Sequence, residues 1–489
     1  MSGDRPTETS SGPLRGLVQK AARWSVGARW LRHAIQGVAL MALARFLQPE
    51  DFGLVGMAAI LVGAANALGD FGTMSVLVQR PDPSRRLWTS LFWVQVALGL
   101  AMTGVLWLAA PLTASFFHEP RVSALLRGLS VSVAVASLGM AHQARLMRAM
   151  RFDLLGMAEV FGVAGGAILG LSAALSDAGP WSLVVQGVAG SALSTACLWL
   201  AEPWRPGGRI DVAELRSVSG YSLTMTGSSI ATYANRQLDQ LLVGRFLGAQ
   251  ALGWYSLATR LMLLPLLAIT WNVSRVLFPA LSRVQHDLGK FRRGYLDAVS
   301  LVAMVSFPMM LALMAAADPF VRVAFGKGWE AAVPLVRILS FVGLVQSITS
   351  LSHAVFRASG RTGLQFGLDI LGTMVLAAAF WVGLRWGAIG VAAAYAVATA
   401  ALLYPGLLVV LPLMGLALND WAKALWRPLV CAGGMGGVLV VVSATLPDRG
   451  DPFGALALLG LAGAVVYSAA TAALNREALA KALPVLGVR

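Results

Sequence analysis

Apolar runs long enough to cross a bilayer recur from one end of this chain to the other. Residues 87–110, 178–201, 298–317, 428–447 and 452–475 each pass about twenty positions without a charge. A hydrocarbon core of about 30 Å takes about 20 helical residues, and its backbone polar groups must all bond within the segment. Such runs therefore read as spanning helices. Residues 386–419 hold a further uncharged span. Eight more carry one to four ionisable residues, at about 25–47, 53–79, 122–144, 152–175, 215–246, 251–281, 331–356 and 363–384. The expectation is an all-α integral membrane protein of about 14 transmembrane helices. Spread over 489 residues, that leaves about 35 per span, loop included. No loop is then large enough for a folded soluble domain, so function belongs inside the bundle or at its faces.

Composition supports this class. Hydrophobic residues are 57% and charged residues 12% of the chain, beyond what a soluble protein of this size can hide. The net charge of +15 would suggest nucleic acid in a soluble chain. Here it reads as loop cations that set topology and touch anionic lipid head groups; no nucleic-acid partner is expected. With the N-terminus in the cytoplasm, the inner loops collect Arg80, Arg85 and Arg86, Arg145, Arg148 and Arg151, Arg283 and Lys290, and Lys423 and Arg427. The opposite loops are richer in acids, among them Glu50, Asp51, Glu119, Asp177, Asp318 and Glu330. The alternation holds through all the spans and places both termini in the cytoplasm. The polar start, with no apolar h-region, reads as a short cytoplasmic tail rather than a cleaved signal. Cys197 and Cys431 lie in apolar runs and read as packing residues; neither a disulfide framework nor a metal spacing is present.

The chain also repeats itself. ALARFLQPEDFGLVGMA at 42–58 is echoed by LLVGRFLGAQALGWYSLA at 241–258, with Arg45-Phe46-Leu47, Gly53 and Ala58 returning 200 residues later. Arg148-Ala149 returns as Arg357-Ala358, Gly162 as Gly372 and Gly179 as Gly387. Span one therefore corresponds to span seven. Six is even, so the halves enter the membrane in the same direction, as a parallel repeat. The expected organisation is a tail at 1–23, a six-helix lobe at 24–201, a linker at 202–214, a second six-helix lobe at 215–417, two extra helices within 418–475 and a tail at 476–489.

Ionisable residues inside spans are costly and tend to face water or a partner. Span one carries Arg29, Arg32, His33 and Gln36 on one helical face. Span seven carries Tyr233, Asn235, Arg236, Asp239 and Gln240, and span eight Arg260 and Arg275. Spans two, five and eleven add Asp70, Glu159 and Asp369. Several have structural readings: snorkelling for Arg29, Arg32 and Arg275, an internal pair for Arg236 with Asp239, an Arg partner in span one for Asp70, and packing for His33, His142 and His353. Arg260 is harder to excuse, since neither position 256 nor 264 is acidic. Taken together, Arg29, Arg32, Gln36, Tyr233, Asn235, Arg236, Arg260 and Arg275 are the candidates to line a substrate cavity. Their cationic character suits an anionic, phosphate-bearing substrate. Asp70, Glu159, Asp239 and Asp369 are candidate charge partners or sites for a coupling cation, Na⁺ or H⁺, with no other cofactor expected. Phosphate-binding, metallopeptidase and nucleophile-elbow motifs are absent from the sequence, so the expectation is a transporter rather than an enzyme.

The motifs ALARFLQPEDFGLVGMA, LGDFGTMSVLVQR at 68–80 and NRQLDQLLVGRFLGAQALGWYSLATRLMLLPL at 235–266 resemble the Wzx-like oligosaccharide flippases. These are a branch of the multidrug/oligosaccharidyl-lipid/polysaccharide exporter superfamily. The resemblance runs through nearly the whole chain. It implies a V-shaped bundle of two six-helix lobes that alternates between inward- and outward-open states in the bacterial inner membrane. It implies undecaprenyl-pyrophosphate-linked oligosaccharide as substrate, with polysaccharide polymerase and export proteins as partners, and ion gradients rather than ATP as the energy source. The Asn235/Arg236/Asp239 patch and the span-one arginines carry over as cavity candidates. Two other readings stay open: a drug or cation antiporter of the same superfamily, which would want a predominantly acidic cavity, and a non-transporting scaffold of a glycan-assembly complex.

Overall fold

A computed structural model describes residues 12–69, 84–208, 210–445 and 451–474. Among the described residues all regular structure is helical. Among the described residues the helices group into fourteen bilayer-length passes. The first six are α1 (Gly12–Ala44), α2 (Pro49–Gly69), α3 (Arg85–Phe117), α4 (Arg121–Arg148), α5 (Phe152–Leu175) and α6 (Trp181–Ala201). The next helix, α7 (Val212–Pro265), is broken at Gly248, where φ is 84° and ψ is −179°. Only glycine adopts that backbone at little cost, so the two arms form separate passes. The second arm runs on through a π-helical turn at Leu266–Thr270 into α8 (Trp271–Arg283). Pro265 and Pro279 each remove a ladder hydrogen bond there. There follow α9 (Leu288–Ala315), a short α10 (Ala317–Phe325), α11 (Ala332–Thr349) continued by α12 (Ser352–Ala358), α13 (Thr362–Gly383), α14 (Gly387–Leu413), α15 (Leu418–Thr445) and α16 (Pro452–Leu474).

Helix starts follow local chemistry. The Ser84 hydroxyl accepts from the Leu87 amide at 3.0 Å, capping α3. Asp287 caps α9 by accepting from the Lys290 amide at 3.1 Å. That amide, with the Lys290 ammonium, holds the Asp287 carboxyl below the usual carboxylate range. At the other extreme, α1 begins at Gly12, well before the span expected from residue 25. Its extra turns carry Arg15, Lys20 and Arg23, which extend the helix without adding apolar length.

Ten helical stretches have the length and composition of a membrane span; one of them, Thr362–Leu413, joins α13 and α14. The passes not among them are α1, the two arms of α7, and α8. These passes carry Arg29, Arg32, Arg236, Arg260 and Arg275, and α8 is besides only 13 residues long.

Two compact units divide the chain, residues 1–237 and 238–489. The repeat is visible inside both. In the first, α3 packs on α4, α4 on α6 and α5 on α6; in the second, α9 packs on α11, α11 on α14 and α13 on α14. The turns match in placing a positive-φ residue at corresponding positions. His118, Met150 and Gly179 have φ of 57°, 55° and 54°; Gly326, Gly360 and Gly387 have 82°, 67° and 69°. Each pair is separated by 208 to 210 residues. A residue just past the last helix of each repeat also tucks into its own core. Trp204 packs with Trp88, Phe92 and Ala144, and Met414, 210 positions later, packs with Tyr295, Phe356 and Trp421.

The helix seams differ. Along α5 and α6 three glycines let backbones touch: a Cβ at Gly166 would sit 2.6 Å from the Gln186 carbonyl oxygen and 2.9 Å from the Gly190 Cα. Small residues at four-residue spacing allow this close approach in membranes. Along α13 only Gly372 keeps its place, and a Cβ there would meet nothing nearer than 3.9 Å.

Candidate functional site

The candidate side chains of the first unit engage the bundle in two places. On α1, the Arg32 guanidinium donates to the Glu159 carboxylate of α5 at 3.0 Å. Both side chains are partly exposed, at 29% and 38%. Arg32 is thus partnered across the bundle rather than snorkelling alone. Arg29 is half-buried on the same helix, and one turn further His33 Nδ1 lies 3.3 Å from Gln36 Oε1. Gly27, Leu31, Gly156 and Phe161 of α1 and α5 line an apolar groove, and the two helices approach closely at Gly156, where a Cβ would lie 2.5 Å from that of Ala28.

The second place is at α2. The Tyr233 hydroxyl, on the first arm of α7, donates to the Ile60 carbonyl at 2.9 Å and accepts from Gln237 Nε2 at 3.2 Å. Gly63 makes room for it: a Cβ there would lie 2.0 Å from the hydroxyl oxygen. Asn235 and Arg236, on the same arm, are exposed.

In the second unit Asp239 is 6% exposed. One carboxylate oxygen accepts from the Tyr255 hydroxyl at 3.0 Å and the other from the Gln240 amide at 2.8 Å. The reversal at Gly248 explains the meeting, because it brings Tyr255 back alongside Asp239, sixteen residues apart in sequence. The carboxylate is thus held by a phenol and a backbone amide, which replaces the expected internal pair with Arg236. Nearby, Gln346 Nε2 of α11 donates to the Tyr395 hydroxyl of α14 at 2.7 Å. Burying an ionised carboxylate is tolerable only with such donors.

Arg260 lies on the second arm of α7. Its side chain is exposed, and among the described residues no carboxylate stands within ion-pair reach. Arg275, on α8, is exposed as well. Asp369 of α13 meets His353 of α12, with His353 Nε2 3.4 Å from its Oδ1, and it accepts from Gln365 Nε2 at 3.5 Å. Asp70 lies outside the described residues.

Reading by spans missed three participants. Tyr255 and Tyr395 look like ordinary aromatic packing in sequence, and His353 was assigned to packing but meets an acid. His142 does pack: it is fully buried, stacked on Trp199 at 4.5 Å, with Nε2 3.2 Å from the Trp204 carbonyl. A usable signal for the rest existed. Carrying the Gly162/Gly372 correspondence back three residues pairs Glu159 with Asp369.

Comparisons with known proteins place this arrangement. The chain is 27% identical over 425 residues to the lipopolysaccharide biosynthesis protein WzxC of Escherichia coli, covering 85% of each. It is 26% identical to the teichuronic acid biosynthesis protein TuaB of Bacillus subtilis, over 87% of this chain and 89% of that one. The succinoglycan biosynthesis transport protein ExoT of Rhizobium meliloti is 28% identical over 66% of this chain and 65% of its own length. Among solved structures, the lipid II flippase MurJ in an inward closed conformation superposes with a TM-score of 0.68 over 92% of this chain and 98% of that one, at 15% identity. An inward-facing transporter of the multidrug resistance MATE family superposes at 0.57, over 78% and 98%, also at 15% identity. At that identity the likeness is one of fold. Residues 42–334, more than half of the chain, match the family described as polysaccharide biosynthesis protein, and this chain is a multi-pass membrane member of that family.

Proposed function

We propose that this protein carries an undecaprenyl-pyrophosphate-linked oligosaccharide from the cytoplasmic to the periplasmic leaflet of the bacterial inner membrane by alternating access. The observation that carries the reading is where the cations sit. Arg29, Arg32, Arg236, Arg260 and Arg275 lie on α1, both arms of α7, and α8, the passes that fall short of a plain membrane span. Among them Arg260 is exposed with no carboxylate in reach among the described residues.

A pyrophosphate head cannot enter hydrocarbon unaided. Guanidinium groups replace its lost hydration with charge-assisted hydrogen bonds. The polyprenyl chain can stay in the bilayer while head and glycan pass. Release on the far side requires that the head is not held more tightly in one state than the other. Net direction then comes from a coupling ion or from removal of product by a polymerase. The relatives point to the same chemistry: WzxC, TuaB and ExoT are named for polysaccharide biosynthesis or transport, and MurJ for flipping lipid II. The repeated basic loops put both termini in the cytoplasm.

The test uses a strain from which the gene is deleted. Undecaprenyl-linked oligosaccharide should accumulate unpolymerised on the cytoplasmic face. The wild-type gene should clear it, and Arg260→Ala, present in the membrane at normal abundance, should not. Drug sensitivity without lipid accumulation would replace this reading with the antiporter one. Normal export with Arg260→Ala would remove Arg260 from the cavity.

A further inference from the structure

The two units treat one inherited acid differently. Glu159 and Asp369 stand 210 residues apart, in the matched runs EVFG and DILG, on the corresponding helices α5 and α13. In the first unit the acid meets Arg32 at 3.0 Å. The repeat places threonine, at 232, where that arginine would return. In the second unit the acid instead meets His353 at 3.4 Å. We propose that the His353–Asp369 pair is the proton-binding site that couples transport to the proton gradient. The inference rests on the transport reading above and names its coupling ion.

The physical difference between the pairs is direct. A guanidinium stays charged throughout the physiological range, so Arg32–Glu159 keeps one net charge. An imidazole gains and loses its proton within that range, so His353–Asp369 alternates between zero and minus one. Both side chains are accessible, at 45% and 48%, so a proton can reach them. Asp369 lies two turns inside α13, a span otherwise free of charge. A change of one net charge at that depth alters the solvation cost of the helix pair, which is what a coupling site must do to bias one state over another.

The surroundings of the pair hold no second acid among the described residues. The neighbouring α14 carries no Asp, Glu, Lys, Arg or His. The elements packed on α12 contribute only cations: Arg275 and Arg283 from α8 and Arg337 from α11. On α12 itself Arg357 donates to the His353 carbonyl at 3.2 Å and lies 5.1 Å over the Phe278 ring. Arg361 stands at the start of α13. Gln365 is the remaining polar partner of Asp369 and is neutral.

The experiment reconstitutes the full chain in liposomes that enclose a pH-sensitive dye. Undecaprenyl pyrophosphate is the probe, and its movement between leaflets is read together with internal pH. The wild-type chain should move probe and protons together. His353→Gln and Asp369→Asn should move no protons while still binding the probe. Should either variant fail to fold, His353→Arg is read in its place. It recreates the fixed pair of the first unit and should likewise move no protons. Probe movement without proton movement in the wild type overturns this inference and leaves the flippase reading standing. Absence of probe movement in the wild type overturns both. Proton movement unchanged in all three variants overturns the assignment to this pair.

Discussion

In the first unit an acid on α5 is locked to an arginine; in the second, the acid at the matching position on α13 meets a histidine. The seams beside these acids differ in the same sense. Glycines at 162, 166 and 170 press α5 onto α6 backbone to backbone, whereas α13 keeps only Gly372 of these three positions and meets the α14 backbone at its end, where Gly383 faces Gly390. A duplicated bundle has thus kept its helix pairing and the positive-φ residues of its turns, while one copy holds its acid with an arginine beside a glycine-lined seam and the other holds it with a histidine where two of those glycines are replaced by larger residues. The pairing survives because it depends on which faces are apolar. The acids and seams diverge because a single substitution changes them without altering any helix.

The largest test of this contrast is at the seams. Gly166→Leu should cost about 3 kcal/mol or more, since its side chain would meet backbone atoms that cannot yield. Gly372→Ala, which meets nothing nearer than 3.9 Å, should change stability by no more than about 0.5 kcal/mol. Thermal or steric-trap unfolding in detergent measures both, and equal losses would erase the distinction between seams.

A middle-sized effect should come from the buried acid of the second unit. Tyr255→Phe removes the phenol that donates to Asp239 and should cost about 1–3 kcal/mol. The double variant Tyr255→Phe with Asp239→Asn should recover part of that loss, because the carboxylate left short of a donor is gone. No recovery in the same unfolding assay would mean that the hydrogen bond is not what holds the two arms of α7 together.

The smallest effect concerns Arg32 and Glu159, whose partial exposure weakens the pair. Arg32→Leu should destabilise by about 1 kcal/mol, and the double variant with Glu159→Leu by less than the sum of the single changes. A purely additive cycle would show that the first unit's pair contributes nothing, and the contrast with His353–Asp369 would then lie in titration alone.

Much of this was legible in the sequence. Fourteen passes follow from run length and from the positive-inside alternation, and the repeat follows from residues such as Arg45/Arg245 and Gly179/Gly387. Of the candidate site residues, Arg32 was read for its charge, but its partner could not be read, because Glu159 lies 127 residues away on a helix whose facing direction depends on packing. His353 was set aside as packing because a lone histidine near a helix end carries no sign of its neighbour.

The sequence by itself determined the class of molecule, the number of passes and the duplication, because each depends on the local balance of apolar length against charge. Only the tertiary structure decided which polar groups meet. Asp239 finds Tyr255 because the chain reverses at Gly248, and Asp369 finds His353 because α12 and α13 pack together. Those meetings depend on helix rotation and crossing, which side-chain volumes along the whole seam set together and no single stretch of sequence specifies.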